Sequence, residues 1–217
     1  MFSKPSQVEK FVEFFHRGTK LSYKKGEYII RPGETPNGVF YIEKGQVKAF
    51  DISKYGEENL LIIRKEREVF PLIWAVTGQE RSVIYEALSP TTVWRISRSE
   101  YVEFLEKNND ALPPLLDMAV EMYRIHSERI INLEYRSVRE RLISFLLTMG
   151  QRFGTKNKDG LLINVPLRHQ DIASSINTSR ETTSREVANL ERKGLINNKS
   201  SYITLRDTEK LRSYLEN

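Results

Sequence analysis

Apolar positions along the chain keep two different rhythms. Over residues 5–15, Val8, Phe11, Val12, Phe14 and Phe15 recur at helical spacing, which predicts a short amphipathic helix. From 21 to 96 the rhythm shortens to β-branched and aromatic runs such as Tyr28-Ile29-Ile30, Val39-Phe40-Tyr41-Ile42 and Leu60-Leu61-Ile62-Ile63. Gly26, Pro32-Gly33, Gly38, Gly45, Gly56, Gly78 and Pro90 punctuate them. Many short strands between closely spaced turns predict a β-sandwich or barrel. Ser99 stands where it can cap a short helix through Tyr101, Phe104 and Leu105.

A longer helix is expected over about 115–136, after Pro113-Pro114. Leu115, Ala119, Met122, His126, Arg129 and Leu133 alternate steps of four and three, and a second apolar line runs through Leu116, Val120, Tyr123 and Ile130. Two adjacent stripes suit a helix with two partners, the β-domain and another helix such as its own copy in a dimer. An interdomain helix packed within one chain is the alternative. After Arg139 the pattern is helical again to Gly150, through Leu142, Ile143, Phe145, Leu146 and Leu147. A polar loop at 155–160, a strand at 161–165, helices at 168–176 and 179–192, and a hairpin over 195–205 that turns at 197–201 complete the expected order.

Residues 169–190 carry the most chemistry. Ile172, Ala173 and Ile176 share a helical face, and the small Ala173 permits a second helix to cross closely. Asn177 falls where a tight turn needs left-handed backbone, which Asn tolerates better than most residues. Thr178, with Glu181 three residues on, has capping-box spacing. Val187 and Leu190 point inward, which leaves Arg180, Glu181, Ser184 and Arg185 along one outward stripe. A guanidinium fork pairs with guanine O6 and N7, and a carboxylate accepts from cytosine N4. Near the N-terminus of an exposed helix such groups enter the major groove first. Phosphates repel a carboxylate, so Glu181 between two arginines reads as a base contact; its alternative is to complete the capping box alone.

Charge sharpens the picture. Lys and Arg (34) exceed Asp and Glu (29) by five, and the whole excess lies in 138–217, which holds 14 cationic and 9 anionic side chains against 20 of each in 1–137. A basic last third behind a neutral first part suits an anionic partner at the C-terminal end, nucleic acid being the commonest, although a solvated surface has the same charge. With no cysteine, disulfides, thiolate zinc sites, cysteine nucleophiles and cysteine-held clusters are excluded, and a reducing cytoplasm is the expected compartment. No apolar run approaches the roughly eighteen residues of a membrane span, and no signal-peptide core opens the chain. His16, His126 and His169 lie far apart, and neither a Gly-rich phosphate loop nor a nucleophile elbow is present. Neither a metal site nor catalysis is therefore expected.

At the stripe the sequence resembles the cyclic-AMP receptor/fumarate–nitrate regulator family of bacterial transcription factors. SRETTSRE at 179–186 is similar to that family's recognition helix, and IIRPGETPNGVFYIEKG at 29–45 resembles its β-roll signature, with Gly33, Gly38 and Gly45 at turns and Pro36 replacing the usual small residue. Thr183 replaces an apolar inward residue of the recognition helix while keeping a β-branched methyl. The resemblance runs nearly the whole chain in the family's order. It implies an α+β protein: an N-terminal β-roll (a cyclic-nucleotide-binding-like double-stranded β-helix) over 1–110, a dimerisation helix over 111–137, and a C-terminal winged helix–turn–helix over 138–217. It further implies a homodimer on palindromic double-stranded DNA with TGTGA-like half-sites, read by Arg180, Glu181, Ser184 and Arg185, and RNA polymerase as a protein partner. Ser179, Thr182, Lys193 and Lys199 are the expected phosphate contacts, which position without specifying sequence. A ligand-sensing or interaction module that does not bind DNA is the rival reading.

GQERS at 78–82 resembles the end of the family's phosphate cassette, which implies that Arg81 and Ser82 face a cyclic phosphate. The Gly-Glu pair that should precede it is missing; residues 70–77 read FPLIWAVT, which lacks the ribose-binding carboxylate, and Pro71 lacks a backbone donor. His126 and Ser127 fall where the family places two hydroxyl residues against adenine, and only Ser127 keeps one. Cyclic AMP is thus disfavoured, since a site with unpaired polar groups discriminates sharply. Another small-molecule effector, or none, is expected, with Arg81, Ser82, His126 and Ser127 as the pocket candidates.

Overall fold

The computed structural model describes residues 2–216, and the chain divides into two compact units: Met1–Asp51 with Leu61–Tyr123, and Ile52–Leu60 with Arg124–Asn217.

Helix α1 (Pro5–Phe15) opens the first unit with the bounds that its apolar spacing predicts. Strands β1 (Thr19–Tyr23), β2 (Tyr28–Ile30), β3 (Val39–Lys44), β4 (Val47–Ile52), β5 (Glu58–Arg64), β6 (Val69–Phe70), β7 (Ile84–Ala87) and β8 (Thr91–Ile96) follow, with a short α2 (Leu72–Thr77) between β6 and β7. They form two four-stranded sheets, β1-β8-β3-β6 and β2-β7-β4-β5, so the expected array of short strands is present as a β-roll. Alternation along β3 and β6 separates two cores. Val39, Tyr41 and Val69 join Ile96 on one side and pack with Phe11, Phe14 and Phe15 of α1. Phe40 and Phe70 face the other way, and Phe70 stacks on Phe40 at 5.2 Å and on Tyr85 of the second sheet at 4.8 Å. Glycine at 45 is required: φ is 97°, and a Cβ there would meet Thr91 Oγ1 at 2.6 Å. Gly38 differs from the expected turn role; its φ is not left-handed, and a Cβ would meet the Arg95 side chain at 2.6 Å and the Ile96 carbonyl at 2.8 Å.

Helix α3 (Arg98–Lys107) is capped by Ser97, not by Ser99. Only Ser97 has a glutamate three residues on: its Oγ accepts from Glu100 N at 3.2 Å, while the Glu100 carboxylate accepts from Ser97 N at 3.0 Å. Helix α4 (Leu112–Tyr135) begins before the proline pair instead of after it. In a first turn the missing proline N–H would have had no helical partner anyway, and the fixed φ suits the helix. Leu115, Met118 and Met122 pack on the core of the first unit, whereas Leu116, Val120, Tyr123 and Ile130, the second apolar line, are exposed.

The second unit contains α5 (Val138–Phe153), β9 (Gly154–Asn157), β10 (Gly160–Ile163), α6 (His169–Ser175), α7 (Arg180–Arg192), β11 (Ile196–Lys199), β12 (Tyr202–Leu205) and α8 (Thr208–Ser213). Its strands form one sheet in the order β11-β12-β10-β9. The polar loop expected at 155–160 is largely strand: Thr155 and Lys156 pair with Leu162 and Leu161. All four β9 residues are exposed, so no alternation betrays it. The C-terminal hairpin turns on Ser200 and Ser201 alone, both left-handed (φ 52° and 68°), with Lys199 opposite Tyr202. Asn197 and Asn198 belong to the strand, because two residues with positive φ match the twist of the flanking strands. Residues 52–60 also belong to this unit, where Arg129 donates to Leu60 O at 2.9 Å, Asn59 Oδ1 at 2.9 Å and Ser174 O at 3.2 Å.

Phe15 has no solvent exposure and touches the rings of Phe11, Phe14, Tyr41 and Tyr101. Phe15→Ala is expected to destabilise the first unit by about 3–5 kcal/mol, read from the urea midpoint; a loss within experimental error would contradict the packing described.

Candidate nucleic-acid interface

The expected stripe lies on α7, and its back explains its front. Thr183, Val187 and Leu190 are 0–1% exposed, as are Ile172 and Ala173 of the preceding α6. Thr183 carries a hydroxyl into this core without cost to its hydrogen bonding, since Oγ1 donates to the Ser179 carbonyl at 3.0 Å. Asn177 has φ 50°, the left-handed conformation its position demands. Thr178 N donates to Ala173 O at 3.0 Å across the turn. With one face of α7 sealed in this way, Arg180, Glu181, Ser184 and Arg185 all stand exposed along the other.

The cap of α7 differs from the expected one. Ser179, not Thr178, is the N-cap, and its Oγ accepts from Thr182 N at 3.1 Å and donates to Thr182 Oγ1 at 3.1 Å. A Thr178 cap would begin the helix one residue early, in the extended Ser179 (φ −77°, ψ 156°). Glu181 is therefore not the reciprocal partner of the cap; its carboxylate sits in the first turn, where the helix dipole favours a negative charge. Ser179 and Thr182, both expected at phosphate, are tied to each other at the helix start.

The remaining candidates flank this edge. Lys193 forms the C-terminal cap of α7, with Nζ 3.3 Å from Tyr214 Oη, and Lys199 is exposed at the tip of the β11–β12 wing. His169, at the start of α6, holds the wing through Asn198 Nδ2 at 3.3 Å. Two residues escaped the sequence pattern. Arg168 precedes α6 with its guanidinium half exposed and braced in a fork by the buried Asp171 at 2.8 and 2.9 Å. Their i,i+3 spacing at a helix start was the available signal. Glu186 accepts from Arg139 Nε at 2.8 Å, and this hydrogen bond raises the pKa of the guanidinium.

In the first unit Arg81 and Ser82 are exposed, and Glu80 accepts from Thr35 Oγ1 at 3.0 Å. Residues 72–77 form α2, whose carbonyls at Trp74 and Val76 accept from Arg98 at 3.0 and 3.2 Å. In the second unit His126 and Ser127 are half-buried on α4. The strongest buried charges were not foreseen: Lys48, 1% exposed, pairs with Glu86 at 3.6 Å and lies 4.1 Å from the Phe50 ring centroid, and Arg64 pairs with Glu68 at 3.5 Å.

A β-roll followed by a long helix and a winged helix–turn–helix with an exposed recognition edge defines a class of transcription regulator. Residues 20–108 match the model of a cyclic nucleotide-binding domain, and 140–214 that of a Crp-like helix-turn-helix domain. The chain is 32% identical to the global nitrogen regulator of Synechococcus elongatus over 199 residues, covering 88% of this chain and 82% of that protein. It is 31% identical to the global nitrogen regulator of Nostoc over 186 residues, with 85% and 83% covered. The solved structure of FixK2 from Bradyrhizobium japonicum superposes with a TM-score of 0.77 at 23% identity, covering 90% of this chain and 96% of that one. The chain belongs to the cyclic-AMP receptor/fumarate–nitrate regulator family of transcription regulators, in which dimerisation and effector control are typical.

Loss of the α7 cap should be visible in stability. Ser179→Ala is expected to cost about 1 kcal/mol in chemical denaturation, whereas Thr178→Ala, outside the cap, stays within about 0.5 kcal/mol. The reverse order would return the cap to Thr178.

Proposed function

We propose that this regulator reads its operator through Arg180, Glu181, Ser184 and Arg185. The observation that carries the reading is the outward placement of all four on a helix whose opposite face is closed to solvent. The two arginines take guanines, and Glu181 takes the cytosine opposite one of them, in TGTGA-like half-sites. Ser179, Thr182, Lys193 and Lys199 take phosphates, and Arg168 joins them, since the first helix of such a motif crosses the backbone. The exposed apolar line of α4, Leu116, Val120, Tyr123 and Ile130, is the proposed seam between two copies. A dyad then sets two recognition helices about 34 Å apart, in successive major grooves. We keep the organisation into a sensor over 1–110, a dimerisation helix over 111–137 and a DNA-binding domain over 138–217 as part of the same proposal. RNA polymerase is the protein partner it implies, and the cytoplasm its compartment; no helix among the described residues is long and apolar enough to cross a membrane.

An effector other than cyclic AMP is proposed for the β-roll domain. The exposed Arg81 and Ser82, and the apolar α2 where a ribose acceptor is required, support that choice. Isothermal titration with cyclic AMP is expected to give no saturable heat in the micromolar range, and saturable binding there would overturn the exclusion.

For the DNA edge, Arg185→Ala should cost about 1–3 kcal/mol on the operator and relax preference at one base pair, whereas Lys199→Ala should weaken all duplexes alike and flatten the salt dependence. Equal losses on operator and random duplex for Arg185→Ala would remove its base-reading role.

A further inference from the structure

We infer that Arg139 and Glu186 form a positioning pair that fixes the rotation of α7, and with it the angle at which the base-reading edge meets DNA. The inference rests on the reading of that edge proposed above. Glu186 directly follows Arg185, and its carboxylate accepts from Arg139 Nε at 2.8 Å while its other oxygen lies 3.4 Å from Asn189 Nδ2. The Glu186 side chain is 14% exposed and that of Arg139 40%.

Two features of the chain are unexplained without this role. Arg139 is the second residue of α5, where the helix dipole disfavours a cation, and the acid of that first turn, Glu140, is already engaged with Ser137. The arginine therefore gains nothing from the dipole of α5. A bare carboxylate beside Arg185 would likewise be repelled by the phosphates that line the groove the arginine enters. Drawn onto Arg139, it is neutralised and turned toward α5.

The geometry restrains one motion above all. Successive residues of an α-helix are about 100° apart around its axis. Thr183, Val187 and Leu190 hold the back of α7 through apolar packing, which has no direction of its own. Glu186, one step round from Val187, supplies a directional bond on the flank. A helix held at back and flank cannot roll, so Arg180, Glu181 and Arg185 keep their register on the base edges.

The test is a charge exchange, read as the ratio of affinities for the duplex that the wild-type chain selects from a randomised pool and for random duplex, at one salt concentration. Arg139→Glu and Glu186→Arg should each lower that ratio by about tenfold, and the double exchange should restore most of it. The ratio cancels the change in net charge, which moves both affinities together. In a second set, Arg139→Lys should keep the ratio within about threefold and Arg139→Gln should not, with helical content and melting temperature unchanged. Single exchanges that combine without coupling, or losses equal on both duplexes, would overturn the inference alone. A wild-type chain without sequence preference would overturn the base-reading proposal and this inference with it.

Discussion

The recognition edge depends on the closure of the α6–α7 corner. A helix offers one side to a groove only when its opposite side is committed to protein, and here the commitment is made by Thr183, Val187 and Leu190 over Ile172 and Ala173, all without appreciable exposure. Closure in turn requires the chain to reverse within a few residues between Ser175 and Arg180, which the left-handed Asn177 allows. The Ser179 cap then starts the helix at once, so Arg180 and Glu181 fall in its exposed first turn.

The first unit is held by a different device. Because side chains alternate along each strand, Phe40 and Phe70 stack toward Tyr85 while Tyr41 and Val69 turn to the aromatic cluster of α1 and α3. Within it lie two nearly solvent-free cations, Lys48 and Arg64, each beside a carboxylate. Removing the carboxylate of such a pair strands a cation that water barely reaches, which is far more damaging than losing a surface pair. The charges thus restrict substitution of the β-roll interior alongside the aromatic rings.

Much of this architecture was legible beforehand, and the physical reason is local. The limits of α1, the short strands of the roll, the helix–turn–helix with its inward Ile172, Ala173, Val187 and Leu190, and the outward four-residue stripe all follow from spacings of two, three or four residues, which a backbone of fixed geometry converts directly into faces. Where such signals competed, the outcome turned on the immediate surroundings of one residue. Ser97 prevailed over Ser99 because Glu100 answers it, and Ser179 prevailed over Thr178 because the extended backbone ends at 179. Strand β9 gave no signal at all, being polar and exposed throughout.

Periodicity by itself determined the class of most elements, β9 excepted, and which four side chains stand outward on α7. Only the tertiary structure decided which charges far apart in the chain meet. Arg139 and Glu186 lie 47 positions apart, and Lys48 and Glu86 meet because β4 pairs with β7 in one register. No repeat in the chain marks such partners. Their encounter depends on how whole elements pack, and a one-residue slip of a strand would turn every side chain to the other face.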